Sequence, residues 1–194
     1  MRFNGTEKEA WMLLMILMIS FEIDSGMMQF PYALSQQIST DLDFTMQQVY
    51  MMISIAGLPM AILSMFTAGA MQKHSLKIFC IAKVLIIISW LVSIVAFTHA
   101  DFISCCVARI INQIGNFLEF SCVIFLSDLK FRPFGKTTYP YGLRPLCGAI
   151  IVTFSFRLLP RVYWNNNKSL VYTLWVALGI TLMGVVLGMI YVWW

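Results

Sequence analysis

Apolar residues run along the chain in six long stretches, at about 10–32, 46–70, 78–98, 102–126, 142–159 and 170–194, separated by short polar segments. A hydrocarbon core about 30 Å thick needs about 20 apolar residues per helix. The stretches therefore predict an all-α membrane protein, a single transmembrane domain of six helices over residues 1–194. The fifth stretch is the shortest. Twelve residues separate Arg144 from Arg157, so this helix spans only if both arginines snorkel to opposite interfaces. The first stretch follows Arg2 and Lys8 as the apolar region of a signal peptide would, but it runs on through Pro31 with no small-residue cleavage site. It reads as a retained helix.

Composition agrees: 60% of residues are hydrophobic and 11% charged, too few charges to cover a soluble globule of this size. The formal charge of +4 comes from bases scattered through short loops, not gathered on one face, so it reads as cytoplasmic loop charge and not as a nucleic-acid surface. With the N-terminus cytoplasmic, Arg2, Lys8, Lys73, Lys77, Lys130, Arg132, Lys136 and Arg144 lie inside. Arg157, Arg161 and Lys168 lie outside, and the positive-inside rule favours that orientation although the loop after the fifth helix runs against it. It places the sequon Asn4-Gly5-Thr6 in the cytoplasm and leaves Asn167, in Asn167-Lys168-Ser169, as the glycosylation candidate, close to the membrane.

Ionisable residues at membrane depth are expensive, so each is a functional hypothesis. The first stretch carries Ser20, Glu22, Asp24 and Ser25, with Asp24 about two thirds of the way across at 1.5 Å per residue. Asp24 is either a carboxylate that exchanges a proton or contacts substrate, or one half of a structural ion pair. In the fourth stretch Arg109, Asn112, Gln113, Asn116 and Glu119 fall within an arc of roughly 120° at helical spacing. Such a face lines a water-filled cavity or forms an interhelical hydrogen-bond seam. Arg109 and Glu119 are about 15 Å apart along one helix, so each needs a partner elsewhere, and Arg109 is expected to pair with Asp24. Lys83, about one turn into a third helix starting at 78, is expected to snorkel to the cytoplasmic surface.

Soluble-enzyme chemistry finds no footing. His74 and His99 sit at opposite ends of the third helix, and no phosphate loop, nucleophile elbow or zinc spacing occurs, so no enzyme activity, cofactor or metal is expected. The five cysteines lie in apolar stretches, odd in number and without metal spacing, and read as packing residues.

The segment Phe21-Glu22-Ile23-Asp24-Ser25-Gly26 resembles the first-helix signature of the sugar porters of the major facilitator superfamily, Phe-Gly-Tyr-Asp-x-Gly, in its Asp and final Gly. Ala108-Arg109 with Gly115 resembles the Gly-Arg start and following glycines of their fourth helix. Phe125-Leu126-Ser127-Asp128-Leu129, then Arg132 and Gly135, is similar to their Tyr-Ile-Ser-Glu-Ile segment and later Arg-Gly pair. Residues 69–77 occupy the place of their Gly-x-x-x-Asp-Arg-x-Gly-Arg-Lys motif, with Gln72, Ser75 and Leu76 in place of Asp, Gly and Arg. Gly148 lies in an apolar run as in their fifth helix, but Gly142 stands near the place of the sugar-contacting glutamine.

The resemblance implies six helices arranged as one half (3+3) of a major facilitator fold, of an insect sugar or trehalose transporter-like type. No internal similarity between the first and last three helices adds to it. It further implies a carbohydrate transporter, symporter or uniporter, moving a hexose or trehalose across the plasma membrane, with a second six-helix half or homo-oligomer completing the cavity. Asp24, Arg109, Asn112, Gln113, Asn116 and Glu119 become substrate or proton-coupling candidates, and Asp128, Arg132, Lys73 and Lys77 cytoplasmic gate candidates. The departures from the motifs, and a chain that stops after six helices, keep a second reading open: a degenerate membrane protein with a structural or regulatory role.

Overall fold

A computed structural model describes residues 5–193, apart from the side chains at 65, 68, 139 and 140; Arg2, Asn4 of the first sequon and Trp194 lie outside it. The described chain is helical almost throughout: α1 (Glu7–Met27), α2 (Phe30–Ala33), α3 (Ser35–Asp41), α4 (Met46–Ser54), α5 (Gly57–Thr98), α6 (Phe102–Phe131), a 3-10 turn (Arg132–Phe134), α7 (Tyr139–Asn165) and α8 (Leu170–Trp193). Six segments are long and apolar enough to cross a membrane: Glu7–Met27, Met46–Ser64, Gly69–Thr98, Phe102–Phe134, Tyr141–Asn165 and Leu170–Trp193. The chain is an integral, multi-pass, all-α membrane protein.

Local chemistry sets several helix ends. Thr6 and Glu9 form a capping box that starts α1, and Thr45 and Gln48 form a second that starts α4, each satisfying backbone N–H groups that a helix N-terminus leaves free. Asp101 caps α6 by accepting from the Ile103 N–H at 3.1 Å. The first helix was expected to run to Tyr32, but α1 stops at Met27. Pro31 has no N–H to donate to Met27, and the Tyr32 N–H turns to the Gln29 carbonyl at 3.0 Å. Two short helices, α2 and α3, then cross that end of the bundle.

The second and third spans were expected to be separated by a loop over 71–77. Instead α5 passes through this connection with one non-helical residue, His74 (φ −136°, ψ 26°). The fourth and fifth spans extend beyond 126 and 159, to Phe134 and Asn165.

Bonds at the two ends tie the antiparallel helices together. Lys136 pairs with Glu7 at 2.5 Å at the end where α1 begins, and the Tyr163 hydroxyl donates to Asp41 at 2.7 Å at the other. Between these ends the apolar core is split in two. One cluster contains Phe21, Phe79, Cys122 and Tyr191; the other contains Met27, Ile86, Cys106 and Leu178. On each of α1, α5, α6 and α8 the segment between the clusters carries buried polar or glycine positions: Glu22 and Asp24, Lys83, Arg109 to Glu119, and Thr181 to Gly188. A polar layer therefore crosses the middle of the bundle.

Candidate functional site

Lys83 occupies the centre of that layer. Its side chain is fully buried, with Nζ 2.6 Å from Asp24 Oδ2 and 2.5 Å from Glu119 Oε1. Nζ also donates to Ser20 Oγ at 2.7 Å, and that hydroxyl donates onward to the Gly184 carbonyl at 2.7 Å. Three helices supply the charges and a fourth closes the site. The expected snorkelling of Lys83 is thus corrected: α5 begins earlier than position 78, and Lys83 lies nine residues beyond the His74 kink, about 14 Å along the helix axis. At that depth the ammonium finds carboxylates before it finds water.

The α8 backbone shapes the pocket. A Cβ at Gly184 would lie 2.7 Å from Asp24 Oδ1, and one at Gly188 would lie 2.9 Å from both Lys83 Cε and Ser20 Oγ. The two glycines share one face of α8, four residues apart, the small-xxx-small spacing that lets membrane helices approach closely. That spacing was the sequence signal for this site, and the expectations from sequence passed over it. With all three groups ionised the cluster carries a formal charge of −1. Asp24 Oδ1 and Glu119 Oε2 accept no hydrogen bond among the described residues.

The expected Arg109–Asp24 pair does not form. Arg109 Nη1 donates to the Met28 carbonyl at 2.9 Å. In an unbroken helix that carbonyl would accept from the Tyr32 N–H, which the Pro31 break has turned elsewhere. Arg109 therefore caps the broken end of α1, one turn beyond Asp24, and Lys83 takes the place predicted for it.

The remaining polar residues of the α6 stripe, Asn112, Gln113 and Asn116, are buried. Asn112 donates to Ser89 Oγ at 2.7 Å, Gln113 Nε2 meets Met60 Sδ at 2.6 Å, and Asn116 Nδ2 has no acceptor among the described residues. The stripe is an interhelical seam over most of its length, and Glu119 alone of the five joins the Lys83 cluster.

A second buried acid lies close by on α1. Glu22 is 3% exposed, and its nearest cation is Arg144 of α7, whose Nε lies 3.8 Å from Oε1, too far for a hydrogen bond. The Arg144 guanidinium stacks over Phe120 at 4.1 Å and faces Phe21 at 5.4 Å. Arg144, expected to snorkel to the interface, lies alongside Glu22, Phe21 and Phe120 with its side chain partly exposed; Arg157 is exposed.

At the end where α1 begins, Arg132 Nη2 pairs with Asp128 Oδ2 at 2.6 Å within one helical turn, and most of the Arg132 side chain is exposed. Lys73 and Lys77 are exposed and make no ion pair with Asp128 among the described residues. The four gate candidates thus form a local pair and two separate cations. Asn167 is exposed at φ 53° in the tight turn between α7 and α8.

Comparison with family models, with curated proteins and with solved structures gives no match to this chain.

Proposed function

We propose that this chain is a transmembrane transporter of the major facilitator type, a six-helix half that works against a second half or a second copy. Its N-terminus is cytoplasmic, its membrane is the plasma membrane, and its solute is a sugar of hexose or disaccharide size. The observation that carries the transport reading is the Lys83–Asp24–Glu119 cluster. Two carboxylates share one ammonium at mid-depth, and an uncompensated charge there costs several kcal/mol. One proton on the carboxylate pair cancels it, and the pair titrates as a unit. A group of three helices held by one exchangeable proton is suited to coupling proton movement to helix movement. Asp24 and Glu119 are then the coupling residues and Lys83 their fixed counter-charge.

The sugar assignment draws on the resemblance of residues 21–26, 108–115 and 125–135 to sugar porters. Uptake of labelled glucose, trehalose and glucuronate into vesicles containing the protein, with and without a pH gradient, tests the proposal. Uptake that exceeds an Asp24→Asn control and responds to the gradient supports it. No uptake of any of the three above that control sinks it.

A second reading is favoured by the α6 stripe. Arg109 and Asn112 are committed to interhelical hydrogen bonds, as in a membrane protein that no longer transports and serves a structural or regulatory role. Under that reading Asp24→Asn alters stability and leaves vesicle uptake at background.

A further inference from the structure

The cluster around Lys83 leaves Glu22 and Arg144 without a role. Glu22 is buried against α7, where a Cβ at Gly148 would come within 2.9 Å of its Oε2. Besides Arg144, the ionisable groups that face it among the described residues are Cys147 on α7 and Glu119 on α6, and Glu119 is already engaged by Lys83. The other helix packed on α1, α8, offers Gly184 and Gly188 to Asp24 and Ser20 instead. Arg144 is thus the counter-ion of Glu22, yet the two do not hydrogen bond, and Arg144 Nε is buried with no acceptor among the described residues.

Arg144 is also 36% exposed along its side chain, because it borders open space. A cleft of about 390 Å³ runs between α5, α6 and α7, with Gln72, Phe120, Ser121, Asp128 and Tyr141 among its walls. A narrow gap of about 10 Å³, lined by Met18, Ile124, Tyr141 and Arg144, adjoins it, sharing Tyr141 and Ile124. The cleft volume lies at the lower end of the roughly 300–1,000 Å³ typical of small-molecule sites. Aromatic and aliphatic side chains, neutral polar groups and the Asp128 carboxylate, itself paired with Arg132, line the cleft, and the Arg144 guanidinium, with unused hydrogen-bonding capacity, borders the narrow gap beside it. A guanidinium fork matches a carboxylate in two-point geometry.

We propose that this cleft binds a hexose-sized solute bearing a carboxylate, which takes Arg144 from Glu22, and that Glu22 takes up one proton from solvent as the solute binds. Charge balances at each stage. The empty site holds Glu22 as carboxylate and Arg144 as cation. The filled site holds protonated Glu22, the same cation and the solute carboxylate, also neutral. Without that proton a nearly inaccessible carboxylate would lose its counter-ion in an apolar interior. Gln72, Ser121 and Tyr141 offer hydrogen bonds to hydroxyl groups, and Phe120 holds the guanidinium plane by stacking. The inference deepens the transport reading by naming its substrate class, and rests on that reading only for the step across the membrane.

Calorimetric titration of the purified full chain in detergent, with glucuronate and with glucose, in two buffers of different ionisation enthalpy, tests it. Glucuronate is expected to bind at least about tenfold more tightly than glucose, equivalent to about 1.4 kcal/mol, with about one proton taken up per solute bound. Glu22→Gln should keep the preference for glucuronate and abolish proton uptake. Arg144→Gln should abolish the preference, and Arg144→Lys, which keeps the charge for folding, should weaken but retain it. Equal affinity for the two sugars, no glucuronate binding, a preference that survives Arg144→Gln, or proton uptake unchanged in Glu22→Gln would each overturn the proposal. Binding as expected with no vesicle uptake would remove transport and keep the site. Vesicle uptake of a neutral sugar unaffected by Arg144→Gln would do the reverse.

Discussion

Lys83 and Glu119 meet at 2.5 Å in the middle of the bundle, both side chains fully buried, and Asp24 closes on the same ammonium from α1. Removing the lysine strands two carboxylates together, so Lys83→Met should destabilise the protein by about 3–5 kcal/mol, the cost of breaking a buried pair from one side. Restoring neutrality with Asp24→Asn and Glu119→Gln in the same chain should recover most of that loss. Thermal unfolding of the three-site variant against Lys83→Met in detergent measures the difference.

The α8 glycines give a contrast within one helix. A Cβ at Gly188 meets Lys83, Ser20 and Phe79 at 3.0 Å or less, whereas one at Gly179 meets nothing within 4 Å. Gly188→Ala should cost about 1–3 kcal/mol through overpacking, and Gly179→Ala should be neutral or slightly stabilising in a helix interior. Equal melting temperatures for the two variants would contradict the close approach of α8 to the cluster.

Arg109 acts through backbone, not through Asp24. Arg109→Gln should lower stability by about 1.5–3 kcal/mol, the worth of a hydrogen bond to a charged group, and the loss should be the same in wild-type and Asp24→Asn backgrounds. A double-mutant cycle in which the two changes couple strongly would restore the ion pair that the geometry excludes.

Asp24, Glu119, Lys83 and Arg109 show what the sequence made legible. Six helices followed from hydropathy alone, because lipid forces every backbone polar group into a helix and leaves length as the remaining variable. Asp24 and Glu119 were singled out by their cost at depth, and both belong to the charged cluster. Lys83 was misplaced because its depth depends on where the third span begins, and residues 71–77 looked like a loop while folding as helix around His74. The Arg109–Asp24 pairing failed because α1 ends at the Pro31 break, which creates a carbonyl needing a donor one turn beyond Asp24. Depth and charge are local properties of a sequence; partner choice depends on helix rotation, which the Gly184 and Gly188 face sets from another part of the chain.

Outside the spans, Asp101 holds the start of α6. A hydrogen bond from the Ser104 hydroxyl, with backbone N–H bonds from Ile103 and Ser104, keeps its carboxyl below the ordinary carboxylate value. A carboxyl depressed in the folded state contributes stability above its unfolded value, about 3.9, and loses it as pH falls through the folded one. The melting-temperature gap between wild type and Asp101→Ala should therefore be constant near neutral pH and shrink below about pH 4. A gap that widens in acid would reverse the assignment of the carboxylate as the cap.

The central claim is that the charged layer couples a proton to solute movement, and its most direct test compares labelled-solute uptake by vesicles carrying wild-type and Glu119→Gln protein under an imposed pH gradient. Gradient-stimulated uptake in the wild type, with only gradient-independent uptake in Glu119→Gln, is the predicted result. Equal stimulation of both proteins would contradict it.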